Sequence, residues 1–180
     1  MKVESGQLPG VKLITPTLYE DGRGFFCETW NPLLQSKLEL CSELVQDNHS
    51  RSRQGVLRGL HYQVHRPQGK LIRSASGSIF DVVVDLRRES PTLGQWQGFE
   101  LSDSNHQMLW IPPGFAHGFL VTSATADVVY KCSEPYSANH QRVIMWNDPD
   151  LAIHWPLSHR DPLLSDQDRN GLSFRDSELF

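Results

Sequence analysis

Hydrophobic and polar residues alternate over short stretches along most of the chain. The clearest stretch is 78–86, SIFDVVVDL, in which successive side chains would point to opposite faces of a strand. Similar but weaker patterns predict further strands at 11–15, 23–30, 44–48, 56–64, 70–75, 95–101, 107–111, 118–122, 128–136 and 143–146. Turn-forming residues such as Ser76-Gly77 and Pro112-Pro113-Gly114 separate these strands.

The succession of short strands favours an all-β fold. With no long helix between strands, an antiparallel sandwich or barrel fits better than repeated βαβ units. One helix is predicted at 31–40, where Asn31 would be the N-cap and Pro32 the first helical residue. Its apolar face would consist of Leu33, Leu34, Leu38 and Leu40. The tail from residue 147 is expected to wrap the barrel and to include a short helix, and residues 1–180 to form one domain.

Charge is distributed unevenly along the chain. Its 180 residues contain 17 Lys and Arg and 21 Asp and Glu, for a net charge of −4. Six of the basic residues lie between 48 and 73, namely Arg51, Arg53, Arg58, Arg66, Lys70 and Arg73. A local cluster on an acidic protein argues against general nucleic-acid binding and suits a pocket for a small anion. A solvated basic hairpin is the alternative at this point.

Targeting signals are not evident. The N-terminal residues lack the apolar core of a signal peptide, and no apolar run approaches the length of a membrane span. Cys27, Cys41 and Cys132 are odd in number and far apart, which argues against a disulfide framework or a zinc knuckle. A cytoplasmic protein is therefore predicted.

The predicted strand at 56–64 carries candidate chemistry. Strict alternation places His61 and Gln63 on one face with Gly59, and Arg58, Leu60 and Tyr62 on the other (GVLRGLHYQ at 55–63). Histidine can act as a base near neutral pH. Glycine inside a strand often marks a bulge or a close backbone approach.

Two histidine motifs resemble those of the cupin superfamily of small β-barrels. Gly55 is followed by five residues and His61, and Pro112-x-Gly114-x-x-His117 comes later. Metal-binding cupins have a second histidine where Gln63 stands, followed closely by a glutamate, and no acidic residue occurs between 64 and 80. Two histidines are too few for a stable divalent site, so no metal is predicted.

A metal-free barrel with His61, Lys70 and Tyr130 suits proton abstraction next to a carbonyl. The histidine would remove the proton, and the lysine would stabilise the enolate oxygen. The tyrosine would return a proton from the opposite side and so invert the carbon. Without further information, a packed core tyrosine is an equally good interpretation of Tyr130.

Longer blocks closely resemble the dTDP-4-dehydrorhamnose 3,5-epimerase family from about residue 10 to 170. These blocks are GFFCE at 24–28, QDNHS at 46–50, GVLRGLHYQ at 55–63, QGKL at 68–71, FDV at 80–82, LWIP at 109–112, GFAHGF at 114–119 and WND at 146–148. The resemblance implies a metal-free, cofactor-free, dimeric cupin-type jelly-roll barrel with a few short helices, mainly towards the C-terminus. It also implies C3 and C5 epimerisation of dTDP-4-dehydro-6-deoxy-D-glucose to dTDP-4-dehydro-L-rhamnose, in dTDP-L-rhamnose biosynthesis.

The resemblance assigns catalytic roles by position. His61 would be the base, assisted by Asp168, while Lys70 stabilises the enolate at O4 and Tyr130 is the acid on the opposite face. From the residues alone, Asp168 in an acidic tail would instead be read as a solvated carboxylate.

The resemblance also implies binding roles. Arg58, Gln46, Asn48 and His117 would line the sugar and diphosphate site, and Tyr136 would stack on thymine. Arg23, Phe26 and Glu28 would reach nucleotide bound in the partner subunit. Gln141 and Gln167 stand where the family usually has a glutamate and a lysine, and both positions are expected to contact substrate.

Three other functions compete with the 3,5-epimerase. A mono-epimerase acting at C3 or C5 of another dTDP-4-keto-deoxysugar would differ in product stereochemistry. A metal-dependent cupin oxygenase or isomerase is disfavoured by Gln63 and would be revealed by metal analysis. A non-catalytic barrel that binds sugar nucleotides is disfavoured by the joint presence of His61, Lys70 and Tyr130.

Overall fold

The computed structural model describes residues 1–37, 40, 43–157 and 161–180. Within these ranges the chain forms short strands, two short helices and connecting loops. The strands are β1 (Lys2–Ser5), β2 (Lys12–Thr15), β3 (Leu18–Asp21), β4 (Gly24–Cys27), β5 (Gln46–Arg53), β6 (Leu57–Gln63), β7 (Lys70–Ser76), β8 (Ser78–Asp85), β9 (Trp96–Ser102), β10 (Met108–Ile111), β11 (Phe115–Val121), β12 (Thr125–Cys132) and β13 (Gln141–Val143). The helices are α1 (Pro32–Lys37) and α2 (Asp166–Arg169). No helix of the described residues is long and apolar enough to cross a membrane.

Two antiparallel sheets face each other around a hydrophobic interior. One has the order β1-β2-β10-β7-β12-β5 and the other the order β13-β6-β11-β8-β9, while β3 and β4 form a separate hairpin. Side chains from both sheets meet in the interior, among them Ile72 and Val128 from the first sheet and Ile79 and Val83 from the second. The predicted antiparallel barrel is confirmed. Because β5 and β6 belong to different sheets, they do not form the basic hairpin considered as an alternative.

The outer face of each sheet is also covered. The alternation in β8 is real, but both of its faces are buried, because Val82 and Val84 pack outward against Leu151 and Trp155 of the C-terminal tail. The tail therefore wraps the barrel as predicted. On the other sheet, a smaller cluster packs beneath the segment that contains α1.

Helix α1 begins as expected but is shorter than predicted. The Asn31 side chain accepts a hydrogen bond from the Leu34 backbone N–H, at 2.9 Å, as an N-cap should. Leu34 and Leu40 are buried, whereas Leu33 is 81% exposed and does not belong to the apolar face. Leu38 lies outside the described residues.

Several strand boundaries also differ from the predicted ones. Residues 18–21 form β3, a strand that is not among the predicted ones. Strand β12 ends at Cys132 rather than at 136, because Pro135 has no N–H to continue the ladder. Strand β11 begins at Phe115, three residues early, since burial on both faces removes the alternation that would mark its start.

A bulge in β6 changes which face Arg58 occupies. His61 pairs with His117 and Arg58 with Phe119, so β6 spans this interval with one residue more than β11. Leu57 and Leu60 both point to the outer cluster, and the Arg58 side chain crosses to the facing sheet. The prediction that Arg58 lies on the face opposite His61 is therefore wrong, because strict alternation does not hold across the bulge.

Gly59 permits this bulge. Its φ is +132°, and a Cβ at this position would lie 2.5 Å from the Gly118 Cα. The predicted close backbone approach is confirmed. As a result, the Gly59 N–H points away from the β11 ladder towards the C-terminal tail, where Asp168 accepts its hydrogen bond.

Candidate active site

A pocket of about 210 Å³ opens at one end of the barrel interior. Its walls come from both sheets and from the loop that follows β12. Its lining residues are Gln46, Asn48, His61, Tyr62, Gln63, Gln68, Lys70, Tyr130, Cys132, Tyr136 and Gln141. Most of these side chains are polar, which suits a hydrophilic ligand held by several hydrogen bonds.

His61 forms a close pair with Asp168. The His61 Nε2 lies 2.6 Å from the Asp168 Oδ1, and the two side chains are 29% and 5% exposed. Burial favours the neutral acid, but hydrogen bonds from His61 and Ser165 outweigh it and hold the pKa of Asp168 below its usual value. An ionised aspartate fixes the orientation of the imidazole and can stabilise the positive charge that develops when a general base takes up a proton.

The first turn of α2 holds Asp168 in place. The Ser165 Oγ donates to the Asp168 Oδ2 at 2.6 Å and accepts from the Asp168 backbone N–H at 3.1 Å. The Gly59 N–H donates to the Asp168 Oδ1 at 3.1 Å. Backbone bridges between the tail and the barrel, Val56 with Leu163 and Ile144 with Leu172, bring α2 to this position beside β6.

Lys70 projects into the same interior from the facing sheet. Burial lowers the pKa of its ammonium group, and the nearby Cys132 and Asp81 partly oppose that shift. Within the described ranges the Lys70 ammonium makes no ion pair, so its N–H groups are available to a ligand. Such a cation in a partly enclosed pocket can stabilise negative charge that develops on an oxygen atom.

Tyr130 lies on β12, between Asn48 of β5 and Ile72 of β7 in the sheet register. Burial raises the pKa of its phenol, Cys132 adds to this, and Arg58 opposes it. The hydroxyl therefore stays protonated at neutral pH and can donate a proton. Since Tyr130 and His61 come from opposite sheets, they approach the pocket from different sides.

His117 and Asp81 form a second pair beneath the pocket. The His117 Nε2 lies 2.8 Å from the Asp81 Oδ2, with side-chain exposures of 8% and 0%. Burial lowers the pKa of His117 and raises the pKa of Asp81, while each partner counteracts the shift of the other. Among the residues that the structure describes, the Asp81 Oδ1 has no hydrogen-bond partner, and Lys70 is the further cation that acts on this carboxylate.

The outer part of the pocket carries Tyr136 and Gln141. The Tyr136 ring is 56% exposed, and its hydroxyl donates to the Gln141 Oε1 at 2.5 Å. On the opposite wall, the Gln46 Nε2 donates to the Asn48 Oδ1 at 2.9 Å. An exposed aromatic ring beside amide groups can stack on a base and hydrogen-bond its substituents.

Metal ligands are not assembled here. No group of three or more His, Cys, Asp or Glu side chains in the described ranges is arranged to hold a metal ion. Gln63, at the position of a metal ligand in metal-binding cupins, hydrogen-bonds backbone groups instead.

Comparison with known proteins identifies the family. The model of the family described as dTDP-4-dehydrorhamnose 3,5-epimerase matches residues 5–176. The chain belongs to the dTDP-4-dehydrorhamnose 3,5-epimerase family. A curated member from Pseudomonas aeruginosa is 50% identical over 183 residues, covering 100% of this chain and 99% of that protein. The predicted family and isomerase class are confirmed.

Solved structures of epimerases share this fold. The Legionella pneumophila enzyme in complex with dTDP-4-keto-L-rhamnose has a TM-score of 0.95 and 44% identity, covering 98% of this chain and 94% of that chain. A 3′-monoepimerase from Streptomyces bikiniensis in complex with dTDP-quinovose has a TM-score of 0.87 and 31% identity, covering 94% and 86%. The predicted cupin-type barrel is thereby confirmed.

The candidate site brings together most, but not all, of the residues predicted for it. Seven line the pocket, namely Gln46, Asn48, His61, Lys70, Tyr130, Tyr136 and Gln141. Asp168 lies behind His61, and His117 lies beneath the pocket. The Arg58 side chain donates a hydrogen bond to Ser52 and opposes the rise in the pKa of Tyr130. Gln167 lines a shallow depression that Gln141 also borders.

Arg23, Phe26 and Glu28 lie outside this pocket. Arg23 and Phe26 belong to the β3–β4 hairpin, where Arg23 pairs with Asp21 and Phe26 is 68% exposed. Glu28 follows the hairpin and accepts a hydrogen bond from the Asn31 side chain. The hairpin thus presents a cation and an aromatic ring to the surroundings of the chain rather than to its own pocket.

The candidate site also contains residues that the sequence analysis missed. Asp81 was noted only as part of an alternating strand, although a charged residue in an apolar strand with two buried faces is a signal of a paired group. Cys132 lines the pocket because it lies two positions after Tyr130 on the same face of β12. Gln63 was weighed only as a missing metal ligand.

Proposed function

We propose that this protein converts dTDP-4-dehydro-6-deoxy-D-glucose to dTDP-4-dehydro-L-rhamnose by inverting C3 and C5. One observation carries the mechanism: His61, paired with a buried carboxylate, and Tyr130, a protonated phenol, enter one pocket from opposite sheets. Inversion next to a ketone requires a base on one side of the carbon and an acid on the other.

The reaction proceeds in two proton transfers at each carbon. His61 removes the proton next to the C4 ketone, and the electron pair of the broken C–H bond moves onto O4 as an enolate. The Tyr130 hydroxyl then delivers a proton to the opposite side of the carbon as the ketone re-forms. Exchange with solvent returns a proton to Tyr130 and removes one from His61, so the enzyme is unchanged.

Lys70 and Arg58 stabilise the negative charges of the substrate. Lys70 donates to O4, where charge develops in the enolate. The Arg58 side chain reaches the sheet that carries Tyr130 and binds the diphosphate, for which a planar guanidinium is well suited. Asp168 keeps His61 oriented and stabilises its protonated form.

The remaining residues bind the rest of the substrate. Gln46, Asn48 and His117 surround the sugar and diphosphate, and Tyr136 stacks on thymine with Gln141 at its side. Gln167 extends the contacts at the edge of the pocket. In a homodimer, Arg23, Phe26 and Glu28 reach the nucleotide bound by a second copy, which is supported by the exposed hairpin that presents them.

The whole chain acts as one catalytic domain in dTDP-L-rhamnose biosynthesis, without a metal or cofactor. A cytoplasmic location is supported by Cys27 and Cys132, which are both free thiols. Sedimentation of the purified protein tests the dimer.

Incubation of the protein with dTDP-4-dehydro-6-deoxy-D-glucose in D2O tests the proposed function. NMR should show deuterium at C3 and C5 and the ring-proton couplings of the L-rhamno product. Incorporation at only one carbon would support a mono-epimerase instead. That second candidate is favoured by the fold similarity to the 3′-monoepimerase from Streptomyces bikiniensis. Failure to exchange either proton would rule out both.

A further inference from the structure

The loop that follows β12 carries Tyr136 to the pocket. This loop, residues 133–137, has no strand or helix of its own and is hereafter the Tyr136 loop. Because the Tyr136 ring is 56% exposed, few packing contacts hold it. Besides the hydrogen bond from its hydroxyl to Gln141, its position depends on the hydrogen bonds of the loop backbone.

Gln63 binds the Tyr136 loop on both sides of Tyr136. The Gln63 Oε1 accepts a hydrogen bond from the Ser137 N–H at 2.9 Å, and its Nε2 lies 3.4 Å from the Pro135 carbonyl oxygen. The same Nε2 donates to the Arg66 carbonyl oxygen at 2.8 Å. The side chain is only 3% exposed, so these bonds are shielded from competing water.

Two other glutamines complete the support. The Gln46 Oε1 accepts from the Tyr136 N–H at 2.8 Å, and the Gln68 Nε2 donates to the Glu134 carbonyl oxygen at 2.8 Å. Gln63 differs from both because its acceptor and its donor both bond to backbone groups, and it is the most buried of the three. It therefore contributes most to the rigidity of the loop.

We propose that Gln63 is a positioning residue that pre-organises Tyr136 for the nucleotide end of the substrate. This rests on the proposed function, in which Tyr136 stacks on the base. A loop already held in its bound geometry loses less conformational entropy when ligand binds. At the position where metal-binding cupins carry a ligand, this chain uses an amide to order a binding loop.

A double-mutant cycle with dTDP as the probe tests the proposal. Gln63→Met keeps a similar volume but removes both kinds of hydrogen bond, so dTDP affinity should fall about tenfold. Tyr136→Ala should also weaken dTDP binding. If Gln63 acts through Tyr136, then Gln63→Met should have little further effect in the Tyr136→Ala background. Equal effects in both backgrounds would overturn the proposal.

The cycle also separates this inference from the proposed function. Unchanged dTDP affinity in Tyr136→Ala would overturn the stacking role and the positioning role together. A loss in Tyr136→Ala with none in Gln63→Met would overturn only the positioning role. With keto sugar as substrate, Gln63→Met should raise KM and leave kcat for deuterium exchange unchanged, because His61 and Asp168 are untouched.

A matched control and a second measurement complete the test. Gln54 also donates from its amide to a backbone carbonyl, that of Thr122, but it does not line the pocket, so Gln54→Met should bind dTDP like the wild type.

Should Gln63→Met fail to fold, hydrogen exchange of the wild-type protein tests the proposal instead. The Ser137 amide should be protected in the absence of dTDP, and exchange as fast as in an unbonded loop would overturn the proposal.

Discussion

The His61 Nε2 and the Asp168 Oδ1 lie 2.6 Å apart although 107 positions separate the two residues in the chain. Asp168 is held from three sides, by His61, by the Gly59 N–H and by the Ser165 hydroxyl. The carboxylate cannot rotate without losing these bonds. The orientation of the proposed base is thus built jointly by a strand bulge and by the C-terminal tail.

Asp168→Asn should slow epimerisation with little effect on dTDP binding. The substitution keeps the shape of the side chain but removes the charge that supports protonated His61, and a loss of roughly 10²- to 10⁴-fold in kcat is expected. Steady-state kinetics and dTDP titration check both parts. Asp166→Asn, an exposed change in the same helix, is the control and should retain the wild-type rate. Equal rates for the two variants would contradict the role of Asp168.

His61→Asn and Tyr130→Phe should fail in different ways. Without the base, both deuterium exchange and inversion should be lost. Tyr130→Phe keeps the ring and its packing, so His61 can still exchange the proton with solvent while little inverted product forms. NMR of the keto sugar in D2O distinguishes the two patterns. Normal inversion by Tyr130→Phe, or absence of deuterium uptake, would exclude Tyr130 as the proton donor.

Asp81→Asn should shift the alkaline limb of the activity profile to lower pH. Burial lowers the pKa of Lys70, and the Asp81 carboxylate opposes that shift. In the proposed mechanism Lys70 acts in its charged form, so activity should decline as pH rises through the pKa of Lys70. Removing the opposing carboxylate lowers that pKa further. The pH dependence of kcat measures the shift, with the exposed Glu100→Gln as a control that should leave the limb in place.

Asp85 should contribute to stability above pH 4. Its carboxylate is fully buried and accepts hydrogen bonds from Arg87, Ser90 and Thr92. Burial raises the pKa of Asp85, but these bonds outweigh it and lower the pKa to about 2. The difference from the unfolded value is equivalent to about 2–3 kcal/mol.

The sign of this contribution follows from the lowered pKa. Stability from Asp85 is present above the unfolded pKa, near 4, and is lost as pH falls towards 2. Urea unfolding should therefore show Asp85→Asn to be less stable than wild type at pH 7, with the gap narrowing at pH 3. Asp161→Asn, at an exposed position, should show no such gap. A gap for Asp85→Asn that is independent of pH would point to lost packing instead.

Exhaustive chelation should leave the protein folded and active. The Nε2 atoms of His61 and His117 are already committed to Asp168 and Asp81, and neither pair has a third ligand beside it in the described ranges. Activity after dialysis against EDTA and metal analysis of the same sample check this. Activity that disappears and returns with one particular divalent ion would contradict it.

The sequence predicted the strands better than the directions of individual side chains. Tyr130 was placed on a strand by its apolar neighbours, and the structure has it on β12. The direction of Arg58 was wrong because a bulge adds one residue, and alternation alone does not reveal where such a residue is added. Gly59 indicated that a bulge was possible. It did not indicate which neighbouring side chains would point to the other face of the strand.

Asp168 shows a different limit. Nothing in the polar tail distinguishes it from a solvated carboxylate, and only the family resemblance indicated a role. Its burial depends on parallel backbone bridges between the tail and residues far earlier in the chain, at Val56 and Ile144. Such long-range pairings leave no periodic pattern in the tail itself. Local sequence patterns therefore located His61 but could not locate its partner.

The late position of α2 has a consequence for the nascent protein. Every strand described in the structure ends by Val143, whereas Asp168 lies 25 residues beyond it. A ribosome can thus release the complete set of barrel strands while the imidazole of His61 still lacks its carboxylate. The pair of His61 and Asp168 then forms only when the tail docks onto β6. Until then Tyr130 already lies on its strand while the proposed base lacks its carboxylate, so docking of the tail completes the half of the site that removes the proton rather than the half that returns it.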